Sequence, residues 1–127
     1  MSVEISFLGA CGTVTGSKYL VEGAGKKLLI DAGMFQGQRK WRERNWQLPP
    51  VSLDSVDAVL LTHAHIDHTG ILPRFYREGL HCPVFATAAT TDLAEILLPD
   101  SGRLQEEYTE YVRDKGYSRY KNPQPLY

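Results

Sequence analysis

The chain has 127 residues, of which 43% are hydrophobic and 23% are charged, a composition typical of one globular domain. Its 14 basic and 15 acidic residues nearly cancel, and the net charge of −1 excludes a protein that attracts nucleic acid through overall positive charge. The N-terminal stretch lacks the basic segment of a signal peptide, and no apolar run has the length of a membrane span, so we expect a cytoplasmic protein without a membrane partner.

The beginning of the chain has the pattern of three short strands joined by glycine-rich turns. Residues 3–8 alternate apolar and polar side chains, as a half-buried strand does. Residues 17–22 predict a second strand, and a third, more buried strand ends at Asp31. The tight turn GAGK lies between the second and third strands. These features predict a β-meander.

The middle of the chain predicts two further strands with a helix between them. Residues 34–55 contain two consecutive prolines and mixed charged and aromatic side chains, which favour a loop with one short helical turn. Residues 56–65, VDAVLLTHAH, indicate a strand that is buried on both faces in its apolar part. A helix is expected from about Asp67 to Gly79, and CPVFAT, residues 82–87, predicts another buried strand.

A helical pattern occupies much of the remaining sequence. Thr87 is a good N-cap for the helix that follows it. Pro99 and Gly102 predict an interruption, after which residues 103–116 can resume the helix. Residues 117–127 have no periodicity. Strands and helices that alternate after an opening meander predict an α/β layered domain covering residues 1–127.

Residues 60–70, LLTHAHIDHTG, hold three of the chain's four histidines and an aspartate, and we call them the histidine loop. Side chains two apart point the same way in an extended backbone, so His63 and His65 can bind one metal ion. Asp67 and His68 are neighbours that can address a second position. Imidazole and carboxylate are the groups that zinc takes in hydrolytic sites. A polar loop whose histidines only cap a helix is the alternative, and four ligand-type side chains in six positions argue against it.

Four sequence stretches resemble the metallo-β-lactamase superfamily and its β-CASP branch of RNA- and DNA-processing nucleases. They are THAHIDH, which follows the H-x-H-x-D-H signature, and the longer stretches FLGACGTVTGSKYLVE, LLIDAGMFQG and VDAVLLTHAHIDHTGILPRFYREG. The resemblance implies the N-terminal half of an αβ/βα sandwich, with a mixed sheet and helices on one face. It also implies a zinc-dependent hydrolase that cleaves RNA phosphodiester bonds.

The resemblance implies a role for each matching residue. His63 and His65 correspond to ligands of one zinc ion, and Asp67 and His68 correspond to ligands of the other. Asp31 corresponds to a carboxylate that orients the histidine loop, so Asp31 and Asp67 are the catalytic candidates. A ligating imidazole needs its second nitrogen held, which makes such a carboxylate physically reasonable. Asp-Ala-Gly is also a good strand-ending turn, and this simpler role for Asp31 stays open.

In the family the site is completed by later ligands that have no counterpart among these 127 residues. His81 is the only other histidine, and packing at the surface or a strand edge is its favoured role. We therefore expect partial or absent zinc occupancy and no nuclease activity in the isolated chain. The sheet face that carries part of Val3, Ile5, Phe7, Leu28 and Ile30 would lack its partner, and we expect self-association through it.

Two basic stretches, residues 39–44 and 113–121, are possible contacts for RNA phosphates, with Trp41, Trp46, Tyr117 and Tyr120 as platforms for bases. A solvated charged loop with its aromatic rings folded back on the core is the favoured interpretation. We expect Cys11 and Cys82, which form no paired motif, to be packed as small buried or half-buried residues.

Two other functions compete with an RNA-cleaving hydrolase. One is a metal-dependent hydrolase of small molecules, such as a thioesterase, a lactonase or a β-lactamase, and the other is a non-catalytic fragment or interaction module. A nucleotide-binding loop is excluded. In GACGTVTGSK the glycines and the Ser-Lys order differ from a P-loop, and a strand follows where that motif needs a helix.

Overall fold

The computed structural model describes residues 2–116 and 124–127. Within these residues the chain forms β1 (Val3–Phe7), β2 (Tyr19–Gly23), β3 (Lys26–Ile30), α1 (Arg39–Arg42), β4 (Ala58–Leu60), α2 (Ile66–Thr69), α3 (Leu72–Arg77), β5 (Val84–Phe85) and α4 (Ala88–Lys115). Short 3-10 turns lie at Glu43–Trp46 and Leu53–Ser55.

The five strands form one sheet in the order β1-β2-β3-β4-β5. β1 pairs with β2 and β2 pairs with β3 in antiparallel fashion, which confirms the predicted meander. β4 pairs parallel with β3, and β5 pairs parallel with β4. The mixed sheet with its helices confirms the predicted α/β class.

One face of the sheet is covered by the short helices that follow β4. Leu29 of β3 and Val59 of β4 are register partners on this face, and both are fully buried. They belong to the same apolar cluster as Ile71, at the start of α3, and Phe75 within it. This burial fixes α3 against β3 and β4, because removing apolar surface from water is the main favourable contribution to folding.

The opposite face of the sheet is apolar but open to solvent. One row of register partners crosses all five strands on this face and consists of Phe7, Tyr19, Ile30, Leu60 and Phe85. Phe7 is 67% exposed and Phe85 is 55% exposed. The rings of Phe7 and Tyr19 meet edge to face, with centroids 5.8 Å apart. An exposed apolar row that crosses a whole sheet is typical of a surface that binds another protein chain.

The predicted strands around the histidine loop are longer than the observed ones. β4 ends at Leu60, so the histidines lie in the loop and not in the strand. Residues 82–87 were predicted to form a buried strand; the strand is present as β5, but its predicted length and burial are wrong, because β5 has two residues and both are exposed. β5 is the last strand of the sheet, and its position at the edge leaves its side chains uncovered.

The single helix predicted near residues 67–79 is divided into α2 and α3. Gly70 ends α2, and a methyl group at this position would lie 2.6 Å from the carbonyl oxygen of Ile66. Pro73 lies in the first turn of α3, where the missing N–H of proline has no helical partner to lose, and its early position was expected.

Helix α4 continues through the predicted interruption at Pro99 and Gly102, which corrects that prediction. Proline removes one backbone hydrogen bond, but the following turn is reinforced by Arg103, which donates to Asp100 and Glu107 at 2.7 Å. Thr87 caps the helix as predicted, since its hydroxyl oxygen accepts from the backbone N–H of Thr90. In the described part of the chain, no helix is both long and apolar enough to cross a membrane.

Residues 124–127 pack against α3 and α4. Leu126 is buried in the apolar cluster, and its backbone N–H donates to the side-chain oxygen of Gln105 at 2.9 Å. Arg74 of α3 donates to the carbonyl oxygen of Leu126 at 3.2 Å. These residues lack any periodic pattern and owe their position to tertiary contacts. Residues 117–123, which include Tyr117, Tyr120 and most of the second basic stretch, lie outside the described residues.

The two cysteines differ in burial. Cys82 is half-buried and packs against the apolar cluster, as expected. Cys11 is exposed, which corrects the expectation that it is packed away. It lies in the glycine-rich turn after β1, where residues 11, 12 and 14 are all exposed.

The two-residue turn between β2 and β3 places Ala24 in the left-handed region, with φ of 52°, followed by Gly25 with φ of 73°. Asparagine tolerates this conformation better than alanine, and Asn-Gly is the preferred pair in such a turn. We expect Ala24→Asn to raise the free energy of unfolding by roughly 1 kcal/mol in urea titrations. Ala89→Asn, at an exposed position of α4, should instead lower the free energy of unfolding by roughly 0.5 kcal/mol. Equal effects at both positions would contradict the left-handed conformation assigned to Ala24.

Candidate functional site

The candidate site lies at the edge of the sheet where the parallel strands β3 and β4 end. Asp31 follows β3, and its backbone N–H donates to the carbonyl oxygen of Leu60, the last residue of β4, at 2.9 Å. His63 follows β4 after two residues, and α2 begins after His65. The carboxyl ends of two neighbouring strands therefore bring Asp31 beside the histidine loop, although Asp31 precedes that loop by 29 or more residues in the sequence.

The carboxylate of Asp31 is the hydrogen-bond centre of this edge. It is 2% exposed and accepts the backbone N–H of Thr62 at 2.8 Å and the Thr62 hydroxyl at 2.9 Å. The Ser17 hydroxyl donates to it at 3.4 Å. Nδ1 of His68 lies 2.7 Å from the same carboxylate. A buried carboxylate needs such partners, because an unpaired buried charge is costly.

The backbone of Asp31 has φ of 64°, in the left-handed region that few residues other than glycine and asparagine or aspartate adopt. The Asp-Ala-Gly sequence therefore does end the strand with a turn, as the simpler interpretation holds. The same turn directs the carboxylate to His68 and Thr62. Asp31 therefore both ends the strand and accepts hydrogen bonds from Thr62 and His68, since the turn and the hydrogen bonds are made by different parts of one residue.

The hydrogen bonds of the loop fix the orientation of two imidazole rings. A carboxylate only accepts, so Nδ1 of His68 donates to Asp31, and in the neutral imidazole the lone pair then lies on Nε2. The Thr62 hydroxyl donates its one proton to Asp31 and lies 3.0 Å from Nδ1 of His63. It then accepts a proton from that nitrogen, so Nε2 of His63 also keeps its lone pair. Both rings are thereby prepared to bind a cation through Nε2.

The four candidate ligands lie together around these oriented rings. The centroids of His63 and His65 are 4.8 Å apart, and those of His63 and His68 are 4.0 Å apart. Nε2 of His68 lies 3.6 Å from a carboxylate oxygen of Asp67. His81 is exposed, between α3 and β5, on a separate stretch of chain. The structure thus brings together Asp31 and the four predicted ligands.

Helix α2 is held in place by backbone groups from two other segments. The carbonyl oxygens of Ile66 and His68 accept the N–H groups of Met34 and Ala32, at 3.0 and 2.8 Å. The carbonyl oxygen of Asp67 accepts the N–H of Ser17 at 3.0 Å. Asp67 and His68 lie in the last turn of α2, where carbonyl oxygens have no partner within the helix, so these contacts satisfy them; the carbonyl oxygen of Ile66 also accepts the N–H of Gly70 at 2.8 Å.

Close approach at Gly33 makes this arrangement possible. A methyl group at Gly33 would lie 1.8 Å from the carbonyl oxygen of Asp67, so only glycine allows the two segments to touch. Gly33, Ser17 and Thr62 are the residues that sequence reasoning missed. Their signals were present only as a glycine two residues after Asp31, a hydroxyl beside the histidine motif for Thr62, and a hydroxyl in the glycine-rich stretch for Ser17, which is too little to assign a role.

A buried lysine fastens the glycine-rich turn to the same region. Nζ of Lys18 donates to the carbonyl oxygens of Gly33 and Gly16, at 2.7 and 3.0 Å, and lies 4.3 Å from the centroid of the Phe35 ring. Burial and, to a smaller extent, the positive charge of Arg44 together lower the pKa of Lys18 to about 7. Through these two hydrogen bonds, the side chain of Lys18 joins the glycine-rich turn to the segment that follows Asp31.

The donor set and its orientation fit a divalent metal ion. Three imidazoles and a carboxylate are the groups that such ions take, and hydrogen bonds already hold two of the rings. Among residues 2–116 and 124–127, however, no group of three or more histidine, cysteine, aspartate or glutamate side chains is arranged to hold an ion. The chemistry of the loop fits a metal, and its donor atoms do not converge on one point here.

Residues 12–84, including the histidine loop, match the metallo-beta-lactamase superfamily. The chain is 48% identical over 101 residues to Ribonuclease TTHA0252 of Thermus thermophilus, covering 78% of this chain and 22% of the relative. It is 32% identical over 114 residues to Transcription termination factor FttA of Methanocaldococcus jannaschii, covering 90% of this chain and 17% of the relative. The chain therefore spans about a fifth of the length of these curated relatives.

Solved structures of metallo-beta-lactamase proteins are also similar to the chain. One from Cronobacter sakazakii, with a HARLDQ motif, is 20% identical at a TM-score of 0.49, and the match covers 78% of this chain and 32% of that one. Human tRNase Z, short form, is 18% identical at a TM-score of 0.47 and covers 79% of this chain and 40% of that one.

Lys18 should make the stability of the chain depend on pH. Its pKa is about 7 in the folded chain, against an ordinary value of 10.5 when the chain unfolds. Between these values the unfolded chain binds a proton that the folded chain does not, so the free energy of unfolding rises with pH. Relative to Lys18→Met, we expect the wild type to gain up to about 1.4 kcal/mol per pH unit in this window, measured by urea titration at pH 7, 8 and 9.

Lys18→Gln serves as the control for this measurement, because it keeps a hydrogen-bond donor and does not titrate. Both variants should show the same pH dependence. A pH dependence in either variant as steep as that of the wild type would contradict the role assigned to Lys18.

Proposed function

Because the chain belongs to the metallo-beta-lactamase superfamily, we propose that it provides metal-binding residues of a hydrolase that cleaves RNA phosphodiester bonds. The observation that carries the proposal is the 48% identity with a ribonuclease. That match covers 78% of the chain, so a continuous match of this length includes the histidine loop. The glycine-rich stretches around Gly12 and Gly37, which resemble the β-CASP nucleases, favour that branch over hydrolases of small molecules.

Zinc is the metal that we propose for this site, with His63 and His65 as ligands of one ion and Asp67 and His68 as ligands of a second. Imidazole nitrogen and carboxylate oxygen suit zinc in hydrolytic sites. Such ions, when bound, supply Lewis acidity and lower the pKa of water enough for hydrolysis near neutral pH. Further ligands from outside these 127 residues would complete the coordination, because the donor atoms of the described residues do not converge on one ion.

The chain's own residues orient the ligands. Asp31 accepts from Nδ1 of His68 at 2.7 Å, which fixes the ring and leaves Nε2 on the side of Asp67. Thr62 fixes the ring of His63 in the same way, at 3.0 Å. Partners of this kind raise the basicity of a ligating imidazole and keep it in one tautomer. Asp31 is in this account a positioning residue, and Asp67 is the carboxylate within the ligand set.

His65→Ala is the variant that tests the proposed function. His65 is exposed, so its removal should leave the thermal unfolding midpoint of the metal-free protein close to that of the metal-free wild type. In the protein expressed from the whole coding sequence, we expect hydrolysis of RNA to fall to background and the zinc content measured by elemental analysis to fall with it. A thioester and a β-lactam, assayed in parallel, should not be hydrolysed.

His81→Ala is the matched control, because it removes an exposed histidine outside the loop and should retain both zinc and activity. Undiminished RNA hydrolysis by His65→Ala would overturn the proposal, and so would hydrolysis of the thioester or lactam in preference to RNA. In the 127-residue chain alone we expect at most one zinc ion, since each lost ligand weakens a site.

We also propose that the 127-residue chain self-associates through the open face of its sheet. The apolar row from Phe7 to Phe85 supports the proposal, since both end residues are more than half exposed. Burial of about 400 Å² of apolar surface contributes on the order of 10 kcal/mol. A two-fold dimer is the simplest arrangement, because the same face serves both copies.

Sedimentation velocity at micromolar concentration should show a dimer for the wild type and a monomer for Phe7→Ser/Phe85→Ser. Tyr108→Ser, which removes an aromatic ring that is 61% exposed on α4, should remain dimeric. A monodisperse wild-type monomer at these concentrations would show that the open face does not recruit a second copy.

A further inference from the structure

A local concentration of positive charge follows the strand that ends at Asp31. Residues 39–46, with the sequence RKWRERNW, contain four cations and one acid, which gives a net charge of +3 in a chain of net charge −1. We call this the basic-aromatic segment. It comprises α1 and the 3-10 turn that follows. Arg39, Lys40 and Arg42 are all exposed. The basic-aromatic segment is therefore a positive surface on an otherwise nearly neutral protein.

Cations and aromatic rings are stacked along the basic-aromatic segment. The guanidinium of Arg44 lies 4.6 Å from the centroid of Phe35 and 5.7 Å from that of Trp41. The ammonium of Lys40 lies 4.8 Å from the Trp41 centroid. Trp41 is half-buried and Trp46 is 43% exposed, and neither belongs to the apolar core cluster of the described residues. The favoured sequence interpretation was a solvated charged loop with its aromatic rings folded back on the core; the cations are solvated, and the two tryptophan rings are only partly covered.

The basic-aromatic segment is fixed to the candidate site by hydrogen bonds. The side chain of Asn45 is buried and pairs with Phe35 like a second backbone, accepting its N–H at 2.7 Å and donating to its carbonyl oxygen at 2.8 Å. Phe35 follows Met34, whose N–H donates to Ile66 in the histidine loop. The connection from Asp31 to the basic-aromatic segment is thus short and ordered by contacts at both ends.

We propose that the basic-aromatic segment binds single-stranded RNA and holds the strand beside the histidine loop. Arg39 and Arg42 would contact phosphates, and Trp41 would stack on a base. The combination favours a single strand, because stacking requires unpaired bases and a duplex would use the charges alone. The inference rests on the proposed function for the identity of the ligand, and it adds the surface that positions that ligand.

Binding is measurable without hydrolysis. We would titrate the 127-residue chain into a fluorescently labelled, unstructured RNA of about one dozen nucleotides in EDTA and follow its anisotropy at several salt concentrations. Removing two phosphate contacts should reduce the slope of log affinity against log salt concentration by about 1.4, since each contact contributes about 0.7 on a single strand. We expect this reduction for Arg39→Gln/Arg42→Gln.

The matched control is Arg77→Gln/Arg103→Gln, which removes the same charge from α3 and α4. Its slope should equal that of the wild type, because its arginines lie outside the basic-aromatic segment. Equal reductions in both double variants would show that only net charge matters and would overturn the proposal. Absence of binding by the wild-type chain would overturn it as well.

Stacking is tested by Trp41→Leu, with Tyr108→Leu on α4 as the control. Loss of one stacked base should weaken binding of the single strand at least about fivefold and leave the salt slope unchanged. Binding of a duplex of the same length should change little. If Trp41→Leu weakens the binding of duplex and single strand equally, or weakens the binding of neither, the stacking role of the Trp41 ring is contradicted. If circular dichroism shows that Arg39→Gln/Arg42→Gln is unfolded, Lys40→Gln is measured in its place.

The outcome is separable from that of the proposed function. Loss of RNA binding in the variants of the basic-aromatic segment, with hydrolysis that survives His65→Ala, would retain the binding surface and reject the metal site. Hydrolysis that depends on His65, with binding unchanged in all these variants, would reject the binding surface and retain the metal site.

Discussion

The hydrogen bonds that Asp31 accepts are the constraint on which the candidate site depends. One buried carboxylate receives Thr62, His68 and Ser17, so it joins β3, the histidine loop and the glycine-rich turn at a single point. A buried carboxylate is stable only with such donors, and the donors in turn lose rotational freedom. Thr62 extends the same constraint to His63. Two imidazoles are oriented by a group that would itself not touch a metal ion.

The positions of these groups follow from a simple feature of the sheet. β3 and β4 are parallel neighbours, so their carboxyl ends coincide and Asp31 meets the loop that follows Leu60. The carbonyl oxygens of Ile66 and His68 in α2 then accept the N–H groups of Met34 and Ala32, and Gly33 permits the close approach. The short helix needs no intrinsic stability of its own, because its unpaired groups are satisfied by its neighbours.

Charge is distributed so that a nearly neutral protein can present a positive surface near its site. The overall charge of −1 provides no long-range attraction for a polyanion, and the net charge of +3 in residues 39–46 acts locally within about one Debye length. Arg44, between Phe35 and Trp41, and Lys18, against Phe35, place two cations on one aromatic cluster. Their mutual repulsion contributes to the low pKa of Lys18, although burial is the larger cause.

The sequence by itself determined the features that depend on neighbours along the chain. The alternating pattern predicted the meander, Thr87 was recognised as a helix cap, and the spacing of His63, His65 and His68 marked the candidate ligands. Only the tertiary structure decided that Asp31 reaches His68, that residues 124–127 join the core, and that α4 continues past Pro99. These outcomes depend on groups far apart in sequence, whose approach is set by strand order and burial. A local pattern contains no information on either, whereas helix caps and strand alternation are complete within a few residues.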